Sequence, residues 1–183
     1  IANPGCFATA IQLALLPLLK NGKITAPVHV NATTGSTGAG VGLSSTGHFS
    51  WRHNNFSWYK PFTHQHLGEI EETLGNPKLY FLPQRGNFTR GIFASCYTPF
   101  DGRLKDAEAM YKDFYNSHPF THVSDKELTL KQVVNTNHCA LHLHQYEDQL
   151  LVTSVIDNLL KGASGQAIQN LNLMMGWEED LGL

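Results

Sequence analysis

Apolar residues near the start of the chain fall at helical spacing, with Ile11, Leu15, Leu18 and Leu19 sharing one face. Asn3-Pro4-Gly5-Cys6 ahead of them reads as the helix start, Asn3 capping and Pro4 at the first helical position, where its missing N–H is harmless. Asn21-Gly22 is the stop, and Pro17 inside the helix predicts a kink. Val28–Ala32 reads as a short strand that runs into the glycine-rich stretch 34–42. A polar and aromatic segment follows to about Pro61, then a Glu-rich helix over His66–Leu74. The pattern predicts strands at Leu79–Pro83, Gly91–Tyr97 and Leu128–Val134, and an amphipathic helix at Ala107–Ser117. His138–Gln145 alternates and pairs with Leu150–Ile156 across the polar turn Tyr146-Glu147-Asp148; Asn158–Met175 closes the chain as a helix. The sum is an α+β fold: a mixed, largely antiparallel sheet with helices on one face.

Composition narrows the function classes. Hydrophobic residues at 42% and charged residues at 15% describe a folded globular chain. Thirteen basic against 15 acidic residues leave no footprint for nucleic acid. The longest apolar stretch, Ala10–Leu19, is broken by Gln12 and Pro17 and is too short to cross a bilayer, so no membrane partner is expected. Cys6, Cys96 and Cys139 are few, odd in number and far apart, which fits a reducing compartment better than a disulfide framework. The opening lacks Met and a charged leader, so no signal peptide is expected, and a start inside a motif suggests a fragment.

Four features could carry chemistry. Cys6, at a helix start, sits where unpaired N–H groups and the helix dipole favour thiolate and could receive an oxyanion; the alternative is a thiol that only packs. His64-Gln65-His66 supplies the proton donor and acceptor a thiolate mechanism needs. His142 and His144 form a second pair on one strand face, but neither pair has the further ligands of a metal site, and none is assigned. Gly38-Ala39-Gly40 lacks the glycine that a dinucleotide motif needs, because Leu43 stands there, and no P-loop lysine follows. It reads instead as a flexible loop near a ligand. Arg85 and Arg90 flank Gly86–Thr89; a guanidinium there either holds a carboxylate or phosphate or is a solvated loop charge.

Taken together, these motifs resemble one family. Ile1–Thr9 around Cys6 is similar to the active-site signature of the N-acetyl-γ-glutamyl-phosphate reductases. Thr34–Gly40 resembles their Ser-Gly-x-Ser-Gly-Ala-Gly loop, His64–Ile70 their His-Arg-His-x-Pro-Glu-Ile segment, and Thr89–Ile92 their Arg-Gly strand start. Asp157-Asn158-Leu159 with Lys161–Ala167 is close to their C-terminal helix motif. Gln65 and Gly68 depart from the usual Arg and Pro, and the loop 51–58 is unusually aromatic.

The resemblance implies a glyceraldehyde-3-phosphate-dehydrogenase-like C-terminal domain, related to the aspartate-semialdehyde dehydrogenases, with a Rossmann domain preceding it in the parent polypeptide. Residues 1–156 would be the catalytic and dimerisation domain, and 157–183 a helix packing toward that absent domain. The implied reaction is cytoplasmic arginine biosynthesis. Cys6 attacks an N-acyl-γ-glutamyl phosphate, phosphate leaves, and NADPH reduces the thioester to the semialdehyde. His64 would be the acid/base, His66 and Arg90 substrate contacts, and Asn158 and Gly162 contacts near the nicotinamide of NADP. The chain alone is expected to lack the reductase activity and to form a homo-oligomer. A sister semialdehyde dehydrogenase, or a cofactor-free dimerisation module, are the alternatives.

Overall fold

The computed structural model describes residues 1–183. In chain order the elements are α1 (Cys6–Lys20), β1 (Val28–Thr34), α2 (Phe49–Arg52), β2 (Ser57–Trp58), α3 (His66–Leu74), β3 (Leu79–Arg85), β4 (Ile92–Pro99), α4 (Leu104–Tyr115), β5 (Thr121–Val123), β6 (Cys139–Tyr146), β7 (Gln149–Ile156) and α5 (Gly165–Met175). Seven strands form one sheet in the order β2-β3-β1-β4-β7-β6-β5. Pairs β1–β3 and β5–β6 are parallel, and the other four are antiparallel. The expected α+β architecture is thus the observed one.

Alternation along the central strands sends Val28, Val30 and Ala32 of β1, and Ile92, Ala94 and Cys96 of β4, to one face, where all are essentially fully buried. Against that face lies α1, which is apolar nearly all round: Phe7, Ala8, Ala10, Ile11, Ala14, Leu15 and Leu18 are buried. A helix so wrapped must be covered on both sides. Ile70 and Leu74 of α3, and Ala107, Tyr111 and Tyr115 of α4, belong to the same core. No helix covers the sheet's second face, where Tyr80, Leu82, Phe93, Tyr97 and Leu151 are half-buried and His29 stacks on Tyr97 at 5.1 Å.

Helix α1 runs on through Pro17 to Lys20. Proline has no N–H to give the carbonyl four residues back, so Leu13 O would lie unpartnered in the interior. The Tyr115 hydroxyl donates to it at 2.6 Å, and the Tyr111 hydroxyl donates to Ala14 O at 2.5 Å. Helix α4 therefore satisfies the backbone that the proline disturbs.

Three local expectations need correction. The helix begins two residues later than the Asn3-Pro4 signal suggests: Gly5 is the cap, in extended conformation, and its N–H donates to the Glu69 carboxylate of α3. Leu128–Val134 is no strand. It holds a 3₁₀ turn, Leu130–Gln132, in which the Gln132 side chain accepts from Thr129 N–H at 2.8 Å, a local bond that outcompetes a weak β pattern. The last helix is preceded by a wide π-type turn, Leu160–Ser164, in which Gly162 N–H reaches Asp157 O and Ser164 N–H reaches Leu159 O, both at 2.9 Å.

Helix α5 docks by its polar side. Gln169 and Asn172 are buried, while Ile168, Leu171, Met174 and Met175 face outward. Lys161 Nζ, itself buried, donates to Gln169 Oε1 at 2.6 Å, and Gln169 Nε2 donates to Glu179 Oε1 at 2.6 Å.

Replacing Tyr115 by Phe should leave Leu13 O without its donor. The expected loss of stability is about 1–3 kcal/mol, read from urea denaturation, with the fold otherwise unchanged. A loss near zero would mean that the carbonyl finds water instead.

Candidate active site

The parallel strands β1 and β3 pair so that Thr34 lies beside Arg85 at their carboxyl ends. The chain leaves β1 there through Gly35, whose position tolerates no side chain because a Cβ would come 2.5 Å from the Thr89 backbone. The glycine-rich stretch continues as a 3₁₀ turn, Ser36–Ala39, pinned by Thr37 N–H to Thr89 O at 3.0 Å. A cleft of about 530 Å³ opens at this edge. Cys6, His64, His66, Arg85, Asn158 and Gly162 all line it. Five of the six residues expected at the site therefore come together from three separate parts of the chain, and only Arg90 is missing.

Cys6 is the first residue of α1. Its floor is the π-type turn: a Cβ on Gly162 would fall 2.6 Å from the Cys6 Cβ, so only glycine lets the two approach. Burial pushes the Cys6 thiol above its ordinary value, and nearby Glu69 adds to this; the N–H groups of Phe7 and Cys6 pull the other way. The helix start thus acts in the expected direction but is outweighed. A thiol in this state needs a base at the moment of attack.

The two imidazoles supply candidates. Their ring centroids are 4.6 Å apart, nearly perpendicular. His64 is packed edge-on among Phe7, Tyr59 and Phe81, with centroids 5.4 to 5.5 Å away, and is only 6% exposed. His64 Nδ1 accepts the His66 backbone N–H at 3.2 Å, so the neutral ring carries its proton on Nε2. Burial, then the neighbouring His66, Lys60 and Arg85 charges, lower its pKa to about 4. His66 is also lowered by burial, with Glu69 opposing, and its Nδ1 is buried without a partner.

Arg90, expected to hold a substrate anion, is committed elsewhere. Its Nε donates to Asp157 Oδ2 at 2.6 Å, and Asp157 is fully buried. The same carboxylate accepts Asn135 N–H at 2.7 Å, Leu159 N–H at 2.8 Å and Leu160 N–H at 2.9 Å. Burial pushes its pKa up, but these donors outweigh burial and hold it below the ordinary range. Asn158, expected near the nicotinamide, bonds within the protein through both amide atoms: Oδ1 accepts Gly91 N–H at 2.6 Å and Nδ2 donates to Thr37 Oγ1 at 3.0 Å. It ties the glycine-rich turn to β4.

The cations on the cleft wall are others: Arg52, Lys60 and Arg85. Arg85 was visible in the sequence as one of two flanking arginines, but nothing there ranked it above Arg90. Arg52 lay in an aromatic loop with no motif to mark it.

A family model described as "Semialdehyde dehydrogenase, dimerisation domain" matches residues 6–158. The N-acetyl-gamma-glutamyl-phosphate reductase of Christiangramia forsetii is 59% identical across the whole chain, and that of Flavobacterium johnsoniae 58%. The chain spans 59% and 58% of their lengths. Among solved structures, aspartate semialdehyde dehydrogenase II from Vibrio cholerae superposes with a TM-score of 0.75 at 14% identity, over 96% of this chain and 62% of that one; it shares the fold. No helix is long and apolar enough to cross a membrane.

The His64 environment sets a pH dependence. Between its ordinary pKa of 6.5 and about 4, the unfolded chain binds a proton that the folded one refuses. Stability should therefore fall as pH drops from 6.5 toward 4, by up to about 3 kcal/mol. His64→Asn should flatten most of that slope in urea titrations at pH 7 and 4.5. An unchanged slope would show that His64 is not held neutral.

Proposed function

This chain belongs to the semialdehyde dehydrogenase dimerisation-domain family, and from that membership we propose that it is the catalytic part of an NADPH-dependent N-acyl-γ-glutamyl-phosphate reductase of arginine biosynthesis. The observation that carries the reading is the meeting of Cys6, at a helix start, with His64 and His66 in one cleft.

In this reading the Cys6 thiol gives its proton to His66, whose ring makes no hydrogen bond within the protein, as its sulfur attacks the acyl carbon, while His64 donates from Nε2. The Phe7 and Cys6 N–H groups face the developing oxyanion, and phosphate leaves with the C–O bond's electrons to give a thioester on Cys6. His64 is the acid/base, its Nε2 proton available to the substrate oxygen and its ring direction fixed by the His66 backbone. His66 orients its neighbour and touches substrate. A nicotinamide cofactor, when bound, supplies the hydride that reduces the thioester to the aldehyde. The residues present fit such a group only in part. Gly162 and Ala163 leave a floor beside Cys6 without bulky side chains, against which a flat ring could lie. Nothing in the chain would hold a pyrophosphate, which belongs to a preceding Rossmann domain. Helix α5, with its outward stripe of Ile168, Leu171 and Met175, would pack against that domain. The helix-free sheet face would meet a second copy through Tyr80, Phe93 and Tyr97.

In the full-length protein, Cys6→Ser should abolish reduction of the acyl phosphate while leaving the fold intact. Turnover near wild type would remove Cys6 as the nucleophile. Coupled assays with N-acylglutamyl phosphate and with aspartyl phosphate separate this enzyme from a sister dehydrogenase. His64→Asn should lower kcat by about 10²–10⁴ with little effect on substrate binding. His66→Asn should cost less, and the reverse order would exchange their roles.

A further inference from the structure

We infer that Arg52 and Arg85, with Lys60 at the rim, form an anion-recognition subsite on the cleft wall, built to take a carboxylate or phosphoryl group of the substrate. That the anion belongs to an acyl phosphate substrate rests on the proposed function; that the wall binds an anion does not.

Arg52 ends the short helix α2, and the residue is only 7% exposed. Its Nε and Nη2 are buried with no hydrogen-bond partner in the protein. A buried guanidinium without a counter-charge is costly to keep, and interior arginines are normally paired with a carboxylate, as Arg90 is here. Arg85 makes that cost higher. It closes β3 on the same cleft, near enough for the two positive charges to oppose one another. The ion pairs of the chain involve Lys23, Arg90, Arg103 and Lys112; neither wall arginine, nor Lys60, takes part in one. Three cations thus converge on one cavity with no acidic residue to balance them. An incoming anion is what such a wall lacks.

The geometry holds the site ready. The Arg85 guanidinium lies 3.7 Å above the Tyr59 ring, which fixes its plane while leaving its N–H edge free to bind. The same tyrosine ring also meets His64 edge-on, with centroids 5.5 Å apart. Lys60 Nζ is restrained by Gln65 Oε1 at 3.3 Å, one residue from His64. The anion would therefore sit beside the ring assigned to proton transfer. A planar fork suits the paired oxygens of a carboxylate or phosphoryl group, both of which an N-acylglutamyl phosphate carries.

Isothermal titration of the full-length protein with N-acetylglutamate and, separately, with inorganic phosphate tests the subsite. At least one should bind saturably, and Arg85→Gln and Arg52→Gln should each weaken it about tenfold or more. Loss confined to N-acetylglutamate assigns the wall to a carboxylate; loss confined to phosphate assigns it to the phosphoryl group. Arg85→Lys keeps the charge without the fork and should fall between wild type and Arg85→Gln, which guards against a variant that merely misfolds. Arg103→Gln, on the surface, should change nothing. Binding by both glutamine variants equal to wild type, or no binding of either anion to wild type, would overturn the inference. The readout is affinity, so an inactive reductase with a working anion wall would refute only the proposed reaction.

Discussion

The Asp157 carboxylate is the point on which the site hangs. It lies at the end of β7, fully buried, and four donors converge on it from three places in the chain. Arg90 brings the entry to β4, Asn135 the segment between β5 and β6, and Leu159 and Leu160 the turn that becomes the floor under Cys6. The residue's own carbonyl also takes Gly162 N–H. A buried carboxylate accepts this company only if nearly every lone pair is used, and here they are. The neighbouring Asn158 extends the same knot to the glycine-rich turn through Gly91 and Thr37. Cleft floor, roof and strand entry are thereby parts of one hydrogen-bonded unit.

Burial dominates the chemistry above that floor. It raises the Cys6 thiol and lowers both imidazoles, so the resting groups are neutral: thiol with imidazole, and no ion pair between them. The permanent charges of the cleft, on Arg52, Lys60 and Arg85, stand apart on its wall. Under the proposed function, a neutral thiol and imidazoles with fixed cations nearby would favour formation of negative charge on a bound substrate.

Much of this was legible in the chain. Helix α3 and the hairpin of β6 and β7 follow from plain periodicity and a polar turn, and Cys6 and the His64-Gln65-His66 pair stand out by residue type. What escaped depended on contacts between distant residues. Leu128–Val134 alternates well enough for a strand, yet Leu130 packs where a side chain on Gly91 would be, and Gln132 bonds back to Thr129. Arg85 and Arg90 are equal in the sequence; only the position of Asp157, 67 residues beyond Arg90, makes one a structural anchor and leaves the other free. Arg52 carries no local signal at all, because its meaning is the absence of a partner. The outward apolar stripe of α5 has regular helical periodicity, and the pattern alone could not say that the polar side faces in.

The contact between Gly162 and Cys6 has a consequence for how such a site can vary. Floor and thiol meet where no side chain fits, so substitutions there have almost no room to explore; Cys6 is held by main-chain geometry. The wall differs, since Arg52 and Lys60 come from the segment between β1 and α3, which carries one two-residue edge strand, β2, and otherwise lies outside the sheet. On the proposed reading of the wall, replacements in that segment would alter which anion is admitted without moving the sulfur. The fold thus separates a tightly packed floor from a more adjustable wall, and diversification of this architecture would be written in that segment.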